Sequence, residues 1–259
     1  KPWIDGWIAF RASLSFSGKK MPEPARKRVW AITQRLKPVD LLHRARAIVL
    51  KRGIAGWDFS DEEPCDDEVM TQWEKASHLA LDIGQQLAQD PGSLKIFLAE
   101  LLAQPDAPRA YECGRGLAKG ASELREIWQD LASEFESVDP EKRNAVVLGG
   151  FIYEAHRRDP SFVLATLEEV IDCPSLAHAL PYLQARVGVD GEGIARLRRA
   201  IEKGVVGALD FRDIANGVVG ESPPEPLALL LIEIARLSHG VEVALDILHG
   251  HFYRGSSAK

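Results

Sequence analysis

The chain is poor in the residues that staple or span. It holds three cysteines, Cys65, Cys113 and Cys173, widely spaced and odd in number, which argues against a disulfide framework and for a reducing compartment. No apolar run approaches the roughly 18 residues that a membrane-spanning helix needs. The longest, LALLLIEIA at 227–235, is short and carries Glu233. The opening KPWIDGWIAF lacks the basic-then-apolar order of a secretory signal. No long stretch alternates apolar with polar residues, so strands are not expected. The net charge of −6 speaks against wholesale coating of nucleic acid while leaving room for a local basic patch. A cytoplasmic location follows as an expectation. The first residue is not methionine, so a fragment of a longer protein is expected, with any catalytic domain elsewhere in the full-length chain.

What is present is helical punctuation on an ordinary globular composition, 46% hydrophobic and 27% charged. In DLLHRARAIVL (40–50), Leu41, Leu42, Ala45, Ile48 and Val49 fall on one helical face behind Asp40 as a cap. Asp-Pro opens two further helices, at 139–140 and 159–160, where the aspartate caps free N–H groups and proline lacks a donor that the first turn does not use. Ser222 is expected to do the same before EPLALLLIEIARLSHG, with Gly240 as a left-handed stop. The pattern predicts helices near 22–36, 40–51, 66–89, 93–103, 108–119, 122–136, 140–157, 160–171, 174–187, 190–203, 208–219, 224–238 and 241–253. Another is expected over 3–16, burying Trp3, Ile4, Trp7, Ile8 and Phe10. Leu227, Leu230, Leu231 and Ile234, then Val241, Leu245 and Leu248, have the spacing of core.

A recurrence links EAHRRDPSFVLATLEEV (154–170), QARVGVDGEGIARLRRAI (184–201) and EIARLSHGVEVALDILHG (233–250): a helix ends, a turn with Asp or Gly follows, and a new amphipathic helix begins. The expected fold class is all-α, an irregular HEAT/ARM-like α-solenoid of antiparallel helix pairs, with a globular helical bundle as the competitor. Its divisions are a basic helical segment at 1–56, an acidic connector at 57–68 and a helical-repeat region at 69–259. Whether VVGALDFRDIANGVV (205–219) is a repeat or an insertion stays open at this point.

Motifs with chemistry are few. GWDFSDEEPCDDEV (56–69) gathers seven acids between Asp58 and Glu68, but counted as a calcium loop from Asp58 it places Glu63 where glycine is needed and Val69 where a bidentate glutamate is needed. Zinc would ask for histidines and further cysteines beside Cys65. A wet connector whose last acids favour a helix N-terminus is the expected role. ECGRGLAKGAS (112–122) has the order of Lys119 and Gly120 reversed from a phosphate loop and follows no strand; Gly114, Gly116 and Ala118 are instead expected to let helices approach closely. His249 and His251 stand two apart, pointing in different directions on a helix, and His156, His178 and His239 are scattered singles. No metal, cofactor or catalytic residue is expected.

Between Lys19 and Arg52 there are eleven Lys or Arg against only Glu23 and Asp40. Of these, Arg26, Lys27, Arg28, Arg44 and Arg46 are the candidate contacts for nucleic acid or an acidic partner. The competing role is a solvated face compensated by the acids of 58–68.

RLKPVDLLHRARAIVL (35–50), the WDFSD that follows, REIWQDLASEFESVDPEKRNAVVLGGFI (125–152) and EPLALLLIEIARLSHGVEVALDIL (225–248) resemble the C-terminal helical regions of large bacterial NTPases of the signal-transducing, defence-associated type. In those, HEAT-like repeats follow a nucleotide-binding module whose motifs this chain lacks. The resemblance implies a sensing or scaffolding arm and assigns no functional residue. The expectation is therefore a non-catalytic protein-interaction or ligand-sensing module of a larger bacterial protein, with no membrane contact. A nucleic-acid-binding module using 19–52 is the alternative, and an unrecognised helical hydrolase a third.

Overall fold

A computed structural model describes residues 3–17, 20–52, 69–216 and 222–255, and among these the fold is all-α, without strands. The chain opens with α1 (Ile4–Ser17), α2 (Glu23–Leu36) and α3 (Leu41–Ala45), the last running into one π-helical turn, Arg46–Leu50. Next come α4 (Val69–Ala88), α5 (Pro91–Leu102), α6 (Ala110–Gly120), α7 (Leu124–Ser137) and α8 (Val146–Arg158). Then follow α9 (Pro160–Ile171), α10 (Leu180–Val187), α11 (Gly191–Glu202), a 3₁₀ segment Ala208–Asn216, α12 (Pro224–Arg236) and α13 (Gly240–Gly255).

Neighbours in this order alternate between two rows. In one row α4 packs on α6, α6 on α8, α8 on α10, α10 on Ala208–Asn216 and that segment on α13. In the other α5 packs on α7, α9 on α11 and α11 on α12. The segment left open by its sequence thus occupies the place of a helix in the first row, and the alternation passes through it unbroken. One hydrophobic core runs between the rows from Ala45 to Ile247. It joins residues on both sides of the division drawn at 56, while Trp7 and Ala47 form a smaller cluster with Ile4, Ile8 and Leu36 beside it.

The first row is held at backbone distance. A Cβ placed on Gly116 would stand 2.0 Å from the Leu81 carbonyl oxygen, and one on Gly84 would stand 2.9 Å from the Gly116 Cα. On the opposite side of α6, a Cβ on Gly114 would meet the Val147 oxygen at 2.1 Å, and one on Gly150 the Tyr111 oxygen at 2.0 Å. Gly114 and Gly116 therefore do what their pattern predicts, and α6 is clasped between α4 and α8 with no side chain in between.

Side chains close the open carbonyls that helix ends leave behind. Arg158 of α8 donates to Ala118 and Ala121 at the end of α6. Arg109 donates to Ile48 at 2.9 Å, and Asn144 to Gln104 at 2.8 Å. Asp40, Asp90, Asp159 and Asp190 each accept a backbone N–H three residues on, at 2.8–3.1 Å, as N-caps should.

Several expectations need correction. The helix predicted over 140–157 is a 3₁₀ turn at Pro140–Lys142 followed by α8 from Val146, with Asp139 capping only that turn. Buried Asn144 interrupts it: its N–H donates to Leu102 at 2.8 Å and its Oδ1 accepts from Val146 N at 3.0 Å. Similarly, the helix predicted from 174 begins as a 3₁₀ turn at Ala177–Ala179. Ser222 does not cap α12; it donates to the Val189 carbonyl. The left-handed stop is His239, at φ 61°, and Gly240 instead starts α13 against the Ile234 carbonyl, where a Cβ would sit 1.8 Å away. Trp3 is 62% exposed, unlike Trp7 at 1%. Leu227, Leu230, Leu231 and Ile234 are core, but Val241 (60%), Leu245 (59%) and Leu248 are exposed, because α13 turns Val243, Ala244 and Ile247 inward.

Two measurements probe this frame. Ala is normally preferred to Gly inside a helix by about 1 kcal/mol, yet Gly116→Ala is expected to destabilise by about 3 kcal/mol, since the obstructing atom is backbone and the helices must part. A urea midpoint equal to or above the parent's would contradict the clasp. On the acid side, Ser161 Oγ and then Phe162 N–H hold the Asp159 carboxylate below its ordinary pKa, and Ser93 does the same for Asp90. A depressed folded pKa gives stability that is present above the unfolded value and lost as pH falls through the folded one. Asp90→Asn with Asp159→Asn should therefore flatten the fall of Tm below about pH 4.

Candidate functional site

The residues singled out by charge do not converge. Arg26, Lys27 and Arg28 are consecutive on α2 and so point about 100° apart. Lys27 pairs with Glu23 at 2.7 Å, and Arg28 is exposed. Arg44 is half-buried on α3, while Arg46 forks onto Glu100 of α5 at 2.5 and 2.8 Å. Lys51 pairs with Asp5 and Arg52 with Asp106 at 3.0 and 3.3 Å. Among the described residues these pairs run to Glu23, Glu100, Asp5 and Asp106; the 58–68 cluster lies outside the described residues. Arg46 ties the π-helical turn to α5, Lys51 ties the residue after it to α1, and Arg52 reaches Asp106 beyond α5.

A different constellation is built on the first row. α6 carries Tyr111 and Arg115, α8 carries Tyr153 and Arg157, and α10 carries Tyr182 and Arg186. Each pair is spaced four apart, which puts both side chains on one helical face. The rings of Tyr111 and Tyr153 are 6.1 Å apart. Arg115 lies over Tyr153 at 5.3 Å and Arg157 over the same ring at 5.9 Å. Arg186 lies over Tyr182 at 4.4 Å and over Tyr111 at 5.9 Å. Its reach to α6 is possible because Tyr182 rests on Gly149 of α8, where a Cβ would fall 2.4 Å from the ring. The charge balance is uneven. Arg115 is neutralised by Glu154 at 2.9 Å, whereas Arg157 has a hydrogen bond only from its guanidinium to Tyr153 Oη at 3.4 Å.

At the α8–α10 end the ladder opens into a cavity of about 580 Å³, lined by Tyr153, His156, Arg157, Arg186 and the turn from Val187 to Asp190. That turn is fixed from behind. Arg196 binds Glu168 at 3.0 Å and Gln184 Oε1 at 2.5 Å, and Gln184 Nε2 donates to the Gly188 carbonyl at 2.7 Å. Gly188 takes φ 102°, a conformation that favours glycine.

Burial holds two phenols and a thiol of this region in their protonated forms. Burial pushes the Tyr182 phenol up to about 12 and raises Tyr111 as well. Behind the ladder, burial pushes the Cys113 thiol up to about 12, which suppresses its thiolate. Among the described residues no group of three or more His, Cys, Asp or Glu is placed to hold a metal ion, and no helix is long and apolar enough to cross a membrane. His249 is exposed on α13 and His251 is half-buried against Phe252. His178 stacks on Phe135, with 6.1 Å between centroids.

The signal for this surface was in the sequence: Y-x-x-x-R three times, as YECGR (111–115), YEAHR (153–157) and YLQAR (182–186). The unequal spacing hides it from a search at fixed period. No family model, curated protein or solved structure matches the chain.

Tyr182 gives a pH test. A phenol whose folded pKa is raised contributes stability that is present below the unfolded value, about 10, and lost as pH rises through the folded one. Stability should fall between about pH 10 and 12, and Tyr182→Phe should reduce that fall. An unchanged alkaline limb in denaturant titrations would mean that the phenol is not buried.

Proposed function

We propose that the chain is a non-catalytic recognition module: an irregular HEAT-like α-solenoid whose Tyr–Arg face, on α6, α8 and α10, contacts an acidic protein partner. The observation that carries this reading is the ladder of three Tyr–Arg pairs on successive first-row helices. Tyrosine and arginine supply large contact area and charge with little loss of freedom when they are already stacked, which is why both recur at binding hot spots. The alternating rows support the solenoid reading, since stacked helix pairs leave one row's outer surface as a continuous binding face. Raised tyrosine and cysteine pKa values fit contact better than chemistry. In this reading the module serves a larger bacterial protein in the cytoplasm, and its partner is either a separate protein or a catalytic domain of the same chain.

The alternative, nucleic-acid contact through the basic segment, retains Arg26, Lys27, Arg28 and Arg44 but draws less support now that Arg46 is engaged with Glu100. Fluorescence anisotropy with a labelled poly-glutamate peptide and a labelled single-stranded oligonucleotide separates the two. Arg157→Glu should weaken peptide binding about tenfold, while reversing Arg26, Lys27, Arg28 and Arg44 to glutamate should change it little. Tight oligonucleotide binding with a steep salt slope, abolished by that four-residue reversal, would establish the alternative instead.

A further inference from the structure

The geometry points to a phosphate-binding site in the cavity at the C-terminal ends of α8 and α10, sized for a small phosphate monoester such as a sugar phosphate or mononucleotide. It rests on the reading of the Tyr–Arg face as the working face and goes beyond it in ligand and in place.

Three observations converge. First, several acceptors around the cavity are engaged: the Gly188 carbonyl by Gln184, the Val189 carbonyl by Ser222, and Oδ1 of the Asp190 carboxylate by Gly193 N–H at the start of α11, with exposed Asp190 the one acid in the lining. Also facing the space are the donors Arg157 and Arg186, with the His156 ring beside them. Second, Arg186 Nε is buried without a hydrogen-bond partner. Other arginines at helix junctions have carboxylates, as Arg46 has Glu100, Arg196 has Glu168 and Arg198 has Glu233. Arg186 is instead clamped between two tyrosine rings, which fixes its direction while leaving its charge uncompensated. The Nε is closed off beneath the rings, so an arriving anion would meet the outer nitrogens of the guanidinium, whose charge no carboxylate among the described residues pairs with. Third, about 580 Å³ is within the usual range for small-molecule sites and far larger than one ion requires.

Two guanidiniums at one opening match a dianion with several oxygens better than a single carboxylate. Both Arg115 and Arg157 already lie over Tyr153, so the site recognises the phosphate and makes no demand for a stacked base.

Isothermal titration of the whole chain with ribose 5-phosphate, AMP and inorganic phosphate, and in parallel with citrate and glutamate, tests this. The phosphate monoesters should saturate a single site, and Arg186→Gln and Arg157→Glu should each weaken it at least about tenfold. Arg157 is exposed, so its variant remains informative if Arg186→Gln fails to fold. Absence of saturation up to about 10 mM, well past a weak site, would overturn the assignment. So would equal binding of the carboxylates, or indifference to both substitutions. Phosphates failing while the poly-glutamate peptide still binds through Arg157 would sink this site alone; both failing would sink the working face with it.

Discussion

The fold depends on the approach of three helix backbones to within touching distance. Gly84, Gly114, Gly116 and Gly150 leave no side chain between α4, α6 and α8, so backbone meets backbone where larger residues would hold packed helices apart. Two consequences follow. The core is displaced wholly to the side of α5, α7 and α9, where Phe97, Leu131, Phe135 and Leu167 are fully buried. On the other side, residues four apart on neighbouring helices come within ring-contact distance, which is how Tyr111 and Tyr153 meet. The glycines that permit the packing therefore also assemble the ladder.

The second row is organised differently. Its helices are linked by ion pairs, exposed or half-exposed except at buried Arg196: Arg125 with Glu169, Glu168 with Arg196 and Arg199, Lys203 with Asp172, and Arg198 with Glu233. Exposed pairs of this kind contribute little stability. Their regular succession, each joining one second-row helix to the next, fixes register on a face whose apolar contacts are already made inside. Exposed Leu229 and Ile232 on α12, with Val241 and Leu245 on α13, show that this ordering fades toward the end of the described chain.

Much of this was legible in the sequence, and the failures have physical causes. The caps Asp40 and Asp159 and the close approach at Gly114 and Gly116 are local properties, readable from a residue and its immediate neighbours. Ser222, Asn144 and Gly240 were misread because each answers a partner distant in sequence or across a turn: Val189, Leu102 and Ile234. Periodicity gave the amphipathic helices but not which side of α13 the row would use, since Val241, Leu245 and Leu248 form a stripe as regular as Val243, Ala244 and Ile247. Clustering of charge and the Tyr–Arg ladder single out different surfaces. The basic segment is dense in sequence, with Lys27, Arg46, Lys51 and Arg52 paired to acids, whereas the three ladder arginines, Arg115, Arg157 and Arg186, are dispersed in sequence and gathered by the fold.

That contrast bears on how an arginine is kept available. A guanidinium beside a carboxylate is oriented and neutralised together, so it serves structure. Stacking on an aromatic ring orients it while leaving its charge exposed to whatever arrives, at an interaction strength of about 0.5–2 kcal/mol. In this chain both modes occur: carboxylate partners hold Arg46, Arg196 and Arg198, rings hold Arg157 and Arg186 on the first row, and Arg125, over Phe162 and beside Glu169, has both. Arg115, with both a ring and Glu154, stands at the boundary and ties α6 to α8. Tyr111 and Tyr182, in place of a carboxylate, leave Arg186 oriented but not neutralised.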